Sequence, residues 1–202
     1  MMLLENLAAE SFAERERLAT LLATLDGEQW TAASLCAGWR VREVVAHLTM
    51  PYRASPPRFL AGLVRARFSF DRYADQDARR TTLRMTDAEL LDLFRANIEH
   101  PWQPPGGGPA GALSHDVSHG LDITEPLGLP GPPAHRIAHV LDHARPRHLK
   151  YFGVDLRGVR LDASDADVSV GEGTTQIRTM PAKDILLVVT GRVALTEAGA
   201  PS

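Results

Sequence analysis

The stretch that decides the fold is SLCAGWRVREVVAHL, residues 34–48. Its second half places Val41, Val44, Val45 and Leu48 at i, i+3, i+4, i+7 spacing. That is one apolar face of an amphipathic helix, from about Arg40 to Thr49. Pro51 ends it, because a proline disfavours the helical conformation of the residue before it. His47 falls on the flank of the apolar face, where its ring can point along a cleft between helices. Glu43, one turn earlier, could orient that ring, a solvated carboxylate being the alternative. Cys36 is the single cysteine, which excludes an internal disulfide framework and a CxxC site. It reads as a small buried hydrophobe, although Arg40 and Arg42 are close enough in sequence to activate a thiol.

Working outward, the chain alternates helical periods with breaks. Leu18, Leu21, Leu22 and Leu25 end a helix that begins near Leu3, with Asp26-Gly27 as its stop. Residues 57–73 read as one helix and the polar run 74–84 as loop. Thr86-Asp87-Ala88-Glu89 is a capping-box pattern that opens another helix. The Pro/Gly runs 101–109 and 126–133 are loops, and a helix is expected between them from about Ala110 to Ile123. Ala134 to Tyr151 is expected to be helical, disturbed at Pro146. Past Phe152 the pattern changes to short alternating runs, 159–163, 167–171 and 174–179, which suggest an antiparallel meander. Pro181 to Thr190 returns to helix, and the last ten residues are expected to fray. The fold class is therefore mainly α with a small α+β tail: a helical body, residues 1–151, and a βββα region, residues 152–202.

Composition bounds the function. The chain has 202 residues, 44% hydrophobic and 23% charged, with a formal net charge of -3. That is ordinary globular composition, long enough to bury a core. The slight acidity argues against nucleic-acid partners. No apolar run reaches the roughly 20 residues that span a bilayer, so no membrane partner is expected. The acidic N-terminal stretch lacks the basic start of a signal peptide, which suggests a cytoplasmic protein. A GxxxxGK[ST] motif and a GxSxG elbow are absent, and the glycines 106–108 lie among prolines and follow no strand, so they read as a loop and not as a phosphate cradle.

The eight histidines are clustered. His115 and His119 are four apart, so on a helix they sit one turn apart on one side and can chelate a single ion. A solvated polar face is the alternative. A catalytic site needs a third ligand and an open position, and His47 is the candidate. His135, His139 and His143 form another i, i+4, i+8 series. Arg136, Arg145 and Arg147 surround them, so they read as a polar face or an incidental nickel-binding surface.

Three stretches together resemble the actinobacterial mycothiol-dependent maleylpyruvate isomerase family. Trp30 with residues 34–48 resembles its W...TLCPGWTVRDVVAHL signature. Residues 119–128 resemble its HGxDIxxPLG segment. Residues 159–173 and 181–192 resemble its C-terminal region, so the resemblance covers about residues 3 to 192. It implies a DinB/YfiT-like four-helix bundle that holds a divalent metal through the histidine of the VAHL segment, here His47, and two residues four apart on a later helix, here His115 and His119. The isomerase has Glu at the first of that pair. His115 instead resembles the all-histidine pattern of the wider superfamily, and the family's second domain is present only in a short form.

The expected function is a metal-dependent, thiol-using enzyme of isomerase or S-transferase type, with a metal-bound thiolate attacking a small electrophilic substrate. Coordination deprotonates a thiol, and a thiolate is a strong nucleophile at neutral pH. Zn is the default for three imidazoles, and Ni suits the same set. By resemblance the thiol is mycothiol. Asp122 is a candidate to hold a ligand ring from behind, with a helix-end role as the alternative. A non-catalytic metal- or ligand-binding protein and a metal-activated-water hydrolase are the competing readings. A homodimer fits paired bundle surfaces.

Overall fold

Capping chemistry and one buried helix organise the chain. The computed structural model describes residues 2–196 and 198. Among them the order is α1 (Met2–Leu22), α2 (Gly27–Thr31), α3 (Val41–Leu48), α4 (Met50–Arg53), α5 (Pro56–Arg65), α6 (Phe70–Thr82), α7 (Asp87–Arg95), α8 (Gly108–Thr124), α9 (Ala134–Asp142) and α10 (Pro146–Tyr151). Then come β1 (Val159–Ala163), β2 (Ser169–Val170), β3 (Gln176–Met180) and α11 (Ala182–Val189). The chain is thus mainly helical with a small three-stranded sheet near its C-terminus. No helix among the described residues is long and apolar enough to cross a membrane.

Two compact units divide the chain, and neither is a single run of sequence. One combines Phe12–Gln103 with His119–Pro130; the other combines Met1–Ser11, Pro104–Ser118 and Gly131–Ser202. In the first, α3 is the hub. It packs against α6 and α7, and Val41, Val44 and Val45 are fully buried. Burying three such side chains contributes several kcal/mol, at about 1.5–3 kcal/mol each. The N-terminus of α3 is closed by Arg40 and Glu43, whose carboxylate accepts from the Arg40 backbone N–H at 3.0 Å and its guanidinium at 2.6 Å. Arg15, also buried, donates to the carbonyls of Ile98 and His100 and so anchors α1 to the chain after α7. Gly120 lets α1 and α8 approach, since a Cβ there would meet the Glu14 carboxylate at 3.0 Å.

In the second unit the sheet order is β2-β1-β3. β1 pairs antiparallel with β2 but parallel with β3. The expected antiparallel meander is therefore wrong for its last strand. The reason lies in residues 171–175, which cross from one edge of β1 to the other. Gly171 has φ +91°, and a Cβ on Gly173 would collide with the backbone of Gly158 and Val159. Only a Gly-Glu-Gly segment can pass that close, which frees β3 to pair beside β1 in the same direction. α9 packs on α11 and β2.

Other expectations are corrected locally. Asp26 does not stop α1; its side chain caps α2 with a reciprocal Asp26–Gln29 box. Pro51 does follow α3 but sits in the first turn of α4. The helix expected over 57–73 is two helices, because Arg67 and Phe68 adopt φ of 56° and 61°. They close α5 with the Phe68 N–H on the Leu63 carbonyl and the Arg67 N–H on Val64. That Schellman pattern normally uses glycine where Arg67 stands. The expected loop 74–84 is mostly α6. Its core stripe is Tyr73, Ala74, Ala78, Thr81 and Thr82, small or polar side chains that a hydrophobic count passes over. The disturbance at Pro146 is real and separates α9 from α10. Of the ten C-terminal residues expected to fray, 197 and 199–202 lie outside the described residues.

Candidate metal centre

The loop before α3 places the first histidine. Ser34 donates its backbone N–H and its hydroxyl to the Trp39 carbonyl, at 3.0 and 2.9 Å. Gly38, with φ +76°, allows the turn. Trp39 then donates its indole N–H to Asp75 on α6 at 2.9 Å, and Arg79 donates to the same carboxylate and to the Gly38 carbonyl. The Trp39 ring lies 5.3 Å from the His47 ring. His47 is 5% exposed, at the last turn of α3.

Glu43 does another job from the one considered for it. It is buried and accepts hydrogen bonds from Arg40 and from the Thr82 hydroxyl. Burial alone would raise its pKa; the hydrogen bonds from Arg40 and Thr82 outweigh it and hold the carboxyl below the usual range. Glu43 is a structural cap that ties α3 to α6.

The second pair sits on α8. His119 Nδ1 lies 2.8 Å from Asp122 Oδ2, and Asp122 is fully buried. His115 Nδ1 lies 3.1 Å from Asp116 Oδ1. The rings of His47 and His119 meet edge to face with centroids 4.8 Å apart. One ligand nitrogen from each of His47, His115 and His119 lies within 4.8 Å of the others. Two residues on one helix and one on another, far apart in sequence, thus bring three imidazoles together.

A second group shares His119. Cys36 Sγ donates to Asp122 Oδ2 at 3.0 Å and lies 3.8 Å from His119 Nδ1. The backbone N–H of Leu35 donates to the Asp122 carbonyl at 3.0 Å. Asp122 therefore receives the loop through its backbone and, through its carboxylate, both the thiol and the imidazole. The reading of Cys36 as a plain small hydrophobe misses this role, although the cysteine and Asp122 both lie in singled-out stretches. Nothing in local spacing links residues 86 apart.

The remaining histidines do not join. His143 leaves α9 as its C-cap, with its ring on the His139 carbonyl at 2.8 Å. His135 Nε2 is 3.8 Å from Glu10. Among the described residues this series forms no ligand group.

Comparison with known proteins adds one finding. Residues 12–103 match the family model described as mycothiol maleylpyruvate isomerase N-terminal domain. The match includes His47 and the whole loop before it, and stops before His115 and His119. No curated protein and no solved structure gives a significant match.

Proposed function

We infer, from the match of residues 12–103 to the mycothiol maleylpyruvate isomerase N-terminal domain, that this protein is a divalent-metal-dependent enzyme that uses a low-molecular-weight thiol. The reaction is an isomerisation or an S-transfer on a small electrophilic substrate. One observation carries the reading: the ligand nitrogens of His47, His115 and His119 lie within 4.8 Å of one another. Imidazoles on one tetrahedral Zn would stand about 3.4 Å apart, given Zn–N bonds of about 2.0–2.1 Å. Small side-chain movements span the difference, so the donor set fits a borderline divalent ion such as Zn or Ni.

His47, His115 and His119 would be its ligands. When bound, such an ion lowers the pKa of a coordinated thiol and supplies a nucleophile at neutral pH. The chain's own residues prepare the site. Asp122 and Asp116 lie against Nδ1 of His119 and His115, which would leave Nε2 of both rings for the ion. Asp122 also holds Cys36 and, through its backbone, the loop that carries Trp39. Trp39 supports the His47 ring from one side. Three neutral imidazoles leave the ion's charge undiminished, which favours an anionic thiolate ligand over a neutral one. Mycothiol is the thiol that the family suggests. The helical part to residue 151 would hold the metal, and the short region 152–202 would stand in for a second domain.

The experiment is metal content by mass spectrometry on tag-free protein, beside the His115→Ala, His119→Ala double variant. The expected result is one ion per chain, lost in the variant, and turnover of electrophiles only with added thiol. Wild-type protein that takes up no Zn or Ni would overturn the reading. Turnover without thiol would favour hydrolysis by metal-activated water.

A further inference from the structure

The apolar arc of helix α5 extends beyond the side that the fold covers. Its inner side is held by Phe59, whose ring meets Tyr73 edge to face with centroids 5.2 Å apart. Gly62 lies so close that a Cβ there would collide with the Tyr73 ring. At about 100° per residue, Leu60 and Val64 lie about 100° and 140° round the helix from Phe59, beyond the covered side. They are 59% and 52% exposed. Phe68 and Phe70, 72% and 47% exposed, continue the patch past the end of the helix. No residue of α5 is buried. Exposed apolar side chains gathered in one place mark a contact surface, and an amphipathic helix with basic residues on its polar face is the form that lies on membranes.

Charge identifies the cover. Arg58, Arg65, Arg67 and Arg72 are exposed around the patch. Residues 54–72 hold four arginines and one acid, Asp71, in a chain whose net charge is -3. The partner is therefore anionic. A second copy does not satisfy this, since a twofold contact lays the same patch on itself and sets arginine against arginine. The backbone points the same way. Arg67 and Phe68 both take left-handed conformations, which bulky side chains avoid, and the turn they make leaves Phe68 outward. Strain retained at an exposed aromatic is a mark of use.

We propose that this face docks on the surface of an anionic lipid bilayer. Leu60, Val64, Phe68 and Phe70 enter the boundary between headgroups and acyl chains, and the arginines meet the lipid phosphates. The contact is peripheral and spans nothing, so the expectation of no membrane partner, which rests on spanning length alone, does not bear on it. It would bring the enzyme to apolar electrophiles that partition into membranes.

The test is flotation of the tag-free full chain with vesicles. One set is phosphatidylcholine mixed with phosphatidylglycerol; the other is phosphatidylcholine alone. The expected result is at least about tenfold more protein on the anionic vesicles, weakened by salt. Val64→Ser with Phe68→Ser removes the binding, and Arg65→Gln with Arg67→Gln reduces it. All four positions are exposed, and far-UV circular dichroism checks that both variants fold. Equal binding to both vesicle types, no binding to the anionic set, or binding kept by the Val64→Ser, Phe68→Ser variant would each overturn the proposal. So would a dimer in solution that the same variant abolishes, because the patch would then be an interface between copies.

Discussion

Replacing Asp122 by Asn tests whether the site is organised from behind its ligands. Asp122 is fully buried, and its Oδ2 sits 2.8 Å from His119 Nδ1 and 3.0 Å from Cys36 Sγ. A hydrogen bond to a charged group of this kind is worth about 1.5–3 kcal/mol. Loss of a carboxylate behind a ligating histidine typically weakens metal binding about 10–100-fold, or about 1.4–2.8 kcal/mol at about 1.4 kcal/mol per decade. The two estimates agree. The Asn keeps the side-chain volume and leaves the backbone carbonyl that accepts from Leu35, so the loop stays anchored. The assay is competition for Zn against a chromogenic chelator, with His119→Ala as the reference for a lost ligand. The Asn variant should bind Zn about 10–100-fold more weakly, and its apo-protein unfolding free energy should fall by no more than about 1.5–3 kcal/mol, so that the apo fold persists. Zn affinity within about twofold of wild type, with binding abolished in His119→Ala, would show that the carboxylate does not organise the ligand and would refute the reasoning.

Three further changes probe the scaffold by urea unfolding. The folded Glu43 pKa lies below its unfolded value, so its contribution is complete above the usual Glu range and is lost as pH falls through the lowered folded value. Glu43→Gln should cost about 1–2 kcal/mol at neutral pH and flatten the acid limb; an unchanged acid limb would place the pH dependence elsewhere. Gly173→Ala forces a Cβ into the backbone of Gly158 and Val159 and should cost about 3 kcal/mol or more; a loss under about 1 kcal/mol would mean that the crossing can move aside. Arg67→Gly relieves a left-handed arginine at a helix end and should stabilise by about 0.5–1 kcal/mol; destabilisation would show that the Arg67 side chain contributes more than its backbone strain costs.

Legibility followed the range of the signal. α3, the capping box of α7, the break at Pro146 and the exact span of β1 are set by residues a few positions apart, and all were readable. α6 was not, because its buried stripe is alanine, threonine and tyrosine between six charged residues. The parallel β1–β3 pairing was not, because strand direction depends on how residues 171–175 cross β1, which alternation does not encode. The same holds at the site. The His115/His119 spacing was visible as a possible chelate, and His47 was singled out on the flank of α3. Cys36 was read only through its local neighbours, since its bond to Asp122 joins a loop to a helix across most of the domain. Local sequence offers Glu43 only a solvated or ring-orienting role, because its pairing with Thr82 requires α6 to be a helix.

The loop before α3 explains why the stretch of sequence that decides the fold lies beside His47 and His119. From Leu35 to Trp39 the chain touches two helices that carry or support them. Leu35 and Cys36 engage Asp122 at the end of α8; Trp39 engages Asp75 on α6 and packs its ring against His47. These are short polar contacts with fixed partners, unlike the valines of α3, which need only be apolar and of the right size. A change among the valines is absorbed by repacking. A change at Cys36, Gly38 or Trp39 alters the turn itself, and through it the positions of His47 and His119 together. Specific residue types are therefore demanded in the loop, and only a pattern is demanded in the helix that follows.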